Sequence, residues 1–131
     1  MRSSGNRSPC WCGIPIMKSK YGWVEIDGIR YDHDVIMHTD RSVIKRSKKK
    51  SKKFKKLFGH TPLSDHDLRF LDNDEAHIIY IGTGQFGDLP ITMEAHTILS
   101  KSEVIIRPTP DILNLLEDEQ RLFAAVIHVS C

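Results

Sequence analysis

Apolar positions along this chain change their spacing near its middle. Between Trp23 and Ile44 they come in short clusters separated by turn residues. Trp23, Val24 and Ile26 precede Asp27-Gly28, and Ile29 and Tyr31 follow it. An Asp-Gly pair between two β-prone runs predicts a hairpin, because the favoured tight turn needs φ > 0 at its central residues. Val35-Ile36-Met37 reads as a third short strand and Val43-Ile44 as a fourth.

Beyond residue 60 the segments lengthen and alternate in kind. Ser64 with Asp67 three residues later is an N-cap with an acid in the first turn, and Leu68 and Leu71 give a buried stripe. Ala76–Ile81 is a nearly continuous apolar β run, as expected of a strand covered on both faces. A glycine-rich loop follows, then a helix across 92–100 and a second buried strand over Glu103–Ile106. Thr109 reads as an N-cap with Pro110 at the first helical position, and Ile112, Leu113, Leu115 and Leu116 form that helix's apolar face. Leu122–Val129 closes the pattern as a third buried strand.

Strand, helix, strand, helix, strand implies a parallel or mixed sheet covered by helices. The predicted fold class is therefore α/β: a single three-layer domain with a central mixed β-sheet, in which N-terminal hairpin strands precede a βαβαβ half. A chain of 131 residues has surface enough to bury one core. Residues 1–16 carry Ser, Gly, Pro and Arg without a period and read as a flexible N-terminal tail, with the domain spanning 17–131. No uninterrupted apolar run, Ile78–Ile81 included, is long enough to span a membrane.

Charge alters this picture at one place. The net charge of +2 combines a neutral first 40 residues, ten Lys or Arg without an acid in 41–60, and an excess of eight acids over 61–131. A Lys-rich loop is thus expected at 45–59, with Lys48, Lys49, Lys50, Lys52, Lys53, Lys55 and Lys56 as its basic patch. Such a run suits solvent, an acidic protein surface or nucleic acid, although only Phe54 and Phe58 are available for base stacking. Three cysteines, Cys10, Cys12 and Cys131, do not build a disulfide framework. They suit a reducing compartment, and a cytoplasmic location is the expectation.

Gly82-Thr83-Gly84-Gln85-Phe86-Gly87 is a literal G-x-G-x-x-G between a strand and a helix. Glycines there let amides approach an anion, so Gly82, Thr83, Gly84, Gln85 and Gly87 form a candidate ligand loop, with Glu94 as the nearby carboxylate. Against a dinucleotide site, Pro90 delays the helix and no ribose-holding acid ends the next strand. The alternative is a tight βα loop that needs glycine for its backbone. The seven histidines are scattered, no metal site is expected, and no cofactor is called for. His128 and Cys131 stand three residues apart, either a Cys–His pair or a core histidine at a strand end. Asp65, Asp67, Asp72, Asp74 and Glu75 read as a solvated acidic face.

Several segments together resemble a known family. They are Tyr21-Gly22-Trp23, Gly28-Ile29-Arg30-Tyr31, Asp34-Val35, the basic stretch ending in His60, Ile79–Gly84 with Gly87, Pro108-Thr109, and Ala124–Cys131. The family is one of small α/β domains of unknown function first described from a methanogen; it includes the adipogenesis-associated domain protein and a mitochondrial complex I assembly factor. The resemblance implies a three-layer fold with a mixed sheet, no established catalysis, and action through protein assembly. The expected function is therefore a non-catalytic protein-interaction or assembly module with a protein partner. The alternatives are nucleotide or anion binding at Gly82–Gly87 and nucleic-acid contact through the lysine run. No catalytic residue is singled out.

Overall fold

The computed structural model describes residues 17–47 and 61–130. The tail over 1–16 and the seven lysines of the basic patch lie outside these described residues. Among the described residues there are eight strands: β1 (Met17–Lys20), β2 (Trp23–Ile26), β3 (Ile29–Tyr31), β4 (Val35–Met37), β5 (Val43–Lys45), β6 (Ile78–Thr83), β7 (Val104–Arg107) and β8 (Phe123–His128). The described residues also form two α-helices, α1 (Met93–Leu99) and α2 (Thr109–Glu117), and a 3₁₀ helix, Asp65–Asn73.

The central sheet has the order β5-β4-β8-β6-β7. β6 runs parallel to β7 and β8, and β4 runs antiparallel to β8 and β5. β6 and β8, whose sequences are almost wholly apolar, are buried along their whole length because both faces are covered. On one face α2 and the small sheet β1-β2-β3 enclose Val24, Ile26, Met37, Tyr80, Ile112, Leu116 and Ile127. On the other, the 3₁₀ helix and α1 enclose Leu63, Leu68, Ile79, Ile81, Leu99 and Val126. This is the three-layer mixed α/β arrangement that the alternating segments imply.

The hairpin at Asp27-Gly28 forms as expected, with φ of 53° and 79° at its two central residues. Elsewhere the fold departs from the sequence reading. Met17–Lys20 pairs with β2 as a strand, although only Met17 of its four residues is fully buried. The helix after Ser64 is 3₁₀ rather than α. Helix α2 starts one residue earlier than expected, with Pro108 in the capping position. Thr109 is not its cap, because its hydroxyl serves the sheet edge described below.

A polar pair is buried on the α2 side of the core. Tyr80 donates to Glu119 Oε1 at 2.5 Å, and Glu119 is held in turn by Arg121. Burial, reinforced by the Glu119 carboxylate, pushes the Tyr80 phenol up from 10.0 to about 12. A phenol whose folded pKa is raised stabilises the native state below the unfolded value, and that contribution is lost as pH climbs from 10 through about 12. Tyr80→Phe is therefore expected to flatten the fall in melting temperature between pH 9.5 and 12. Parallel melting curves for the two proteins over that window would contradict it.

Candidate functional site at the carboxyl edge of the sheet

β6, β7 and β8 point the same way, so Thr83, Arg107 and His128 end at one edge. β4 is antiparallel and starts there, with Val35 opposite Ile127 on β8 and Lys45 on β5. This edge therefore gathers Asp34, Arg46, the glycine loop, Thr109, His128 and Ser130. The carboxyl end of parallel strands is where α/β sheets present their ligand-facing loops.

The glycine loop is built as a stiff turn. Gly84 and Gly87 have φ of 99° and 77°, which side-chain-bearing residues adopt only with strain. Gly82 is needed for a different reason: a Cβ there would lie 2.8 Å from Thr109 Oγ1. The Thr109 hydroxyl donates to the His128 carbonyl at 2.6 Å and accepts from Gly84 N–H at 3.0 Å, so it staples β8 to the loop. The amides of Gln85, Gly87 and Leu89 donate to the carbonyls of Ser130, Gly84 and Thr83. An anion at this loop would compete with these four internal acceptors. Thr83 turns its hydroxyl to the Arg107 carbonyl. Glu94 is exposed in the first turn of α1, and Thr92 rather than a loop glycine caps that helix.

What the loop presents outward is aromatic. Phe86 is 70% exposed, and its ring centroid lies 6.1 Å from that of Tyr21, itself 61% exposed in the β1–β2 turn. The turn and the loop are tied together beneath these rings. Gln85 Nε2 donates to Ser19 Oγ at 2.8 Å, and Gly22 N–H donates to the Val129 carbonyl at 2.7 Å.

Beside the loop lies a buried polar chain that the sequence reading missed. Arg46 is fully enclosed, and its guanidinium makes a bidentate pair with Asp67 at 3.1 and 3.0 Å. It also donates to Asp34 at 2.8 Å and to the Pro62 carbonyl at 2.7 Å. Burial pulls the guanidinium pKa down, but hydrogen bonds and charge from Asp67 and Asp34 outweigh that and raise it. Asp34 Oδ2 also meets His128 Nδ1 at 2.7 Å, and Asp34 Oδ1 accepts from Val129 N–H at 3.0 Å. The chain ends at Ser130, whose Oγ is 3.2 Å from His128 Nε2.

Two expectations are corrected here. Asp67 belongs to the acidic cluster read as solvated, yet it is buried against Arg46, and Asp74 meets His38 Nδ1 at 2.8 Å. Arg46 lies in the run read as a solvated basic loop, yet among the described residues it is the largest fully buried side chain. Among the described residues no group of three His, Cys, Asp or Glu side chains could hold a metal ion.

No family model matches the chain, and no curated protein does. Solved structures do. A conserved hypothetical protein, PH1505 from Pyrococcus horikoshii OT3, is 31% identical over 87% of this chain and 97% of its own length, with a TM-score of 0.76. The chain belongs to the same α/β family as that protein. MT938 is 28% identical, with 87% of this chain and 96% of its own covered and a TM-score of 0.70. Xanthomonas campestris XCC1710 shares the fold at 14% identity and a TM-score of 0.62, covering 95% of this chain and 90% of its own. Among the described residues no helix is long and apolar enough to cross a membrane.

Proposed function

We propose that this domain is a protein-interaction module that docks a partner protein at the carboxyl edge of its sheet, on the Tyr21–Phe86 pair. The observation that carries this reading is the exposure of two adjacent aromatic rings on a backbone that cannot relax to hide them. The loop under Phe86 is fixed by glycine geometry and by four internally bonded amides, so the backbone that holds the ring out is already ordered before binding. Large aromatic anchors on rigid supports are the residue types that dominate binding energy at protein interfaces. The resemblance to a family with an assembly factor among its members supports the same role, and so does the internal use of the amides that an anion site would need.

The test is affinity capture with the full chain. Phe86→Ala and Tyr21→Ala should each weaken partner retention at least ~10-fold, as expected for anchors of about 2 kcal/mol, and leave the melting temperature unchanged. Leu122→Ala, at the amino end of β8 and also exposed, should retain the partner. Equal retention by all three variants would overturn the reading.

A further inference from the structure

The buried polar chain ends at the surface in an arrangement that docking does not require. Arg46, Asp34 and Asp67 are enclosed, His128 is almost so, and Ser130 is partly exposed at the sheet edge. The order of contacts is hydroxyl, imidazole, carboxylate: Ser130 Oγ to His128 Nε2 at 3.2 Å, then His128 Nδ1 to Asp34 Oδ2 at 2.7 Å. We infer that Ser130 is a nucleophile activated by His128, and that this edge carries out serine acyl transfer on a carboxylic ester.

The proton positions follow from the partners. Asp34 faces the Arg46 guanidinium and accepts throughout, so the neutral imidazole carries its hydrogen on Nδ1 and offers Nε2 as acceptor. The Ser130 hydroxyl then donates to Nε2, which is the ground state for general-base activation. Asp34 is a positioning residue twice over. One of its oxygens orients the imidazole, and the other holds the Val129 amide immediately before Ser130. The Ser130 carbonyl is fixed by Gln85 N–H, so the nucleophile's backbone is pinned on both sides. In the reaction Ser130 Oγ bonds to the acyl carbon while its proton passes to His128 Nε2. The imidazolium returns that proton to the departing alkoxide. Water, deprotonated by the same imidazole, then cleaves the acyl–Oγ ester and restores the free hydroxyl.

Gly22, next to Tyr21, is bonded to Val129, and Gln85, next to Phe86, is bonded to Ser130. The backbone on which Ser130 is presented is thus tied to both neighbouring turns. This inference stands on the hydroxyl–imidazole–carboxylate geometry and not on the docking reading, and its test involves no partner protein.

The experiment treats the full chain with an alkyl fluorophosphonate, which phosphonylates activated serine hydroxyls, and reads intact mass and the modified peptide. One adduct per chain is expected, on Ser130, absent from Ser130→Ala and from wild-type chain unfolded in urea. p-Nitrophenyl acetate should be turned over by the wild type, with the fluorophosphonate abolishing turnover. His128→Gln, provided it melts cooperatively, should slow Ser130 labelling about 100-fold, the usual scale for losing a general base. Ser130→Ala is a surface-edge change that keeps the fold, so the main readout does not depend on the buried variant. No adduct at millimolar probe, an adduct elsewhere, or labelling of Ser130 that survives unfolding would overturn the assignment.

Discussion

Asp34→Ala is expected to cost this domain about 3–5 kcal/mol, the scale for removing one partner from a buried ion pair. The side chain stands at 1% exposure between Arg46 and His128. Its loss leaves the guanidinium one carboxylate short and takes the acceptor from the Val129 amide and the His128 ring at once. A buried donor left unsatisfied costs far more than the same bond contributes when made. Urea unfolding monitored by fluorescence of the two tryptophans measures this directly. Arg46→Met should cost a comparable amount, because it leaves Asp34 and Asp67 buried without their shared cation. A loss below about 1 kcal/mol for Asp34→Ala would mean that the network is dispensable.

Gly82→Ala should destabilise by roughly 1–3 kcal/mol, the range for overpacking a filled site. The new methyl would lie 2.8 Å from Thr109 Oγ1 and 3.3 Å from Thr109 Cα, and the Cα is backbone that cannot rotate away. The hydroxyl is itself bonded to the His128 carbonyl and to Gly84 N–H, so moving it breaks the staple between β8 and the loop. The penalty should be smaller in a Thr109→Ala background, because the nearest colliding atom is gone and no staple remains to break. A double-mutant cycle should show coupling of at least about 0.5 kcal/mol. Simple additivity would place the effect of Gly82 elsewhere than in this contact.

The layers of this fold are legible in the sequence where burial is continuous. Ile78–Ile81 and Phe123–Ile127 read as two-sided strands because every position is apolar, and the Asp-Gly turn names its own hairpin. Met17–Lys20 escapes because two lysines and a serine in four residues leave no apolar alternation. The polar chain escapes for a deeper reason. Asp34 and His128 are separated by 94 residues, and nothing local marks either as buried. Arg46 opens a run of lysines and shares their charge, so it reads as one more solvated base. The available signal is its side-chain type: it is the last arginine before seven lysines, and a guanidinium makes the bidentate carboxylate pair that an ammonium cannot. Thr109 is misread because a threonine before a proline fits a cap and a staple equally well. The glycines of the loop announce special backbone, but whether amides face a ligand or the protein is decided by acceptors at Thr109 and Ser130, far away in sequence.

The edge also gives the two readings of function a common geometry. The loop that holds out Phe86 is bonded through the Gln85 amide to the Ser130 carbonyl, so both readings use one strand end. The interaction and the acyl chemistry then become separable by experiment: the aromatic variants should lose the partner and keep phosphonylation at Ser130, and Ser130→Ala should do the reverse.

The central claim, that the carboxyl edge of the sheet is the interaction surface, is tested most directly by a photo-crosslinking residue placed at position 86 or, in a second protein, at position 122. Both side chains are exposed, and they sit on the loop of the carboxyl edge and at the amino end of β8 respectively. Illumination in cells should yield a discrete crosslinked species from position 86, weakened by Tyr21→Ala, and none from position 122. Crosslinking at 122 with none at 86 would contradict the account.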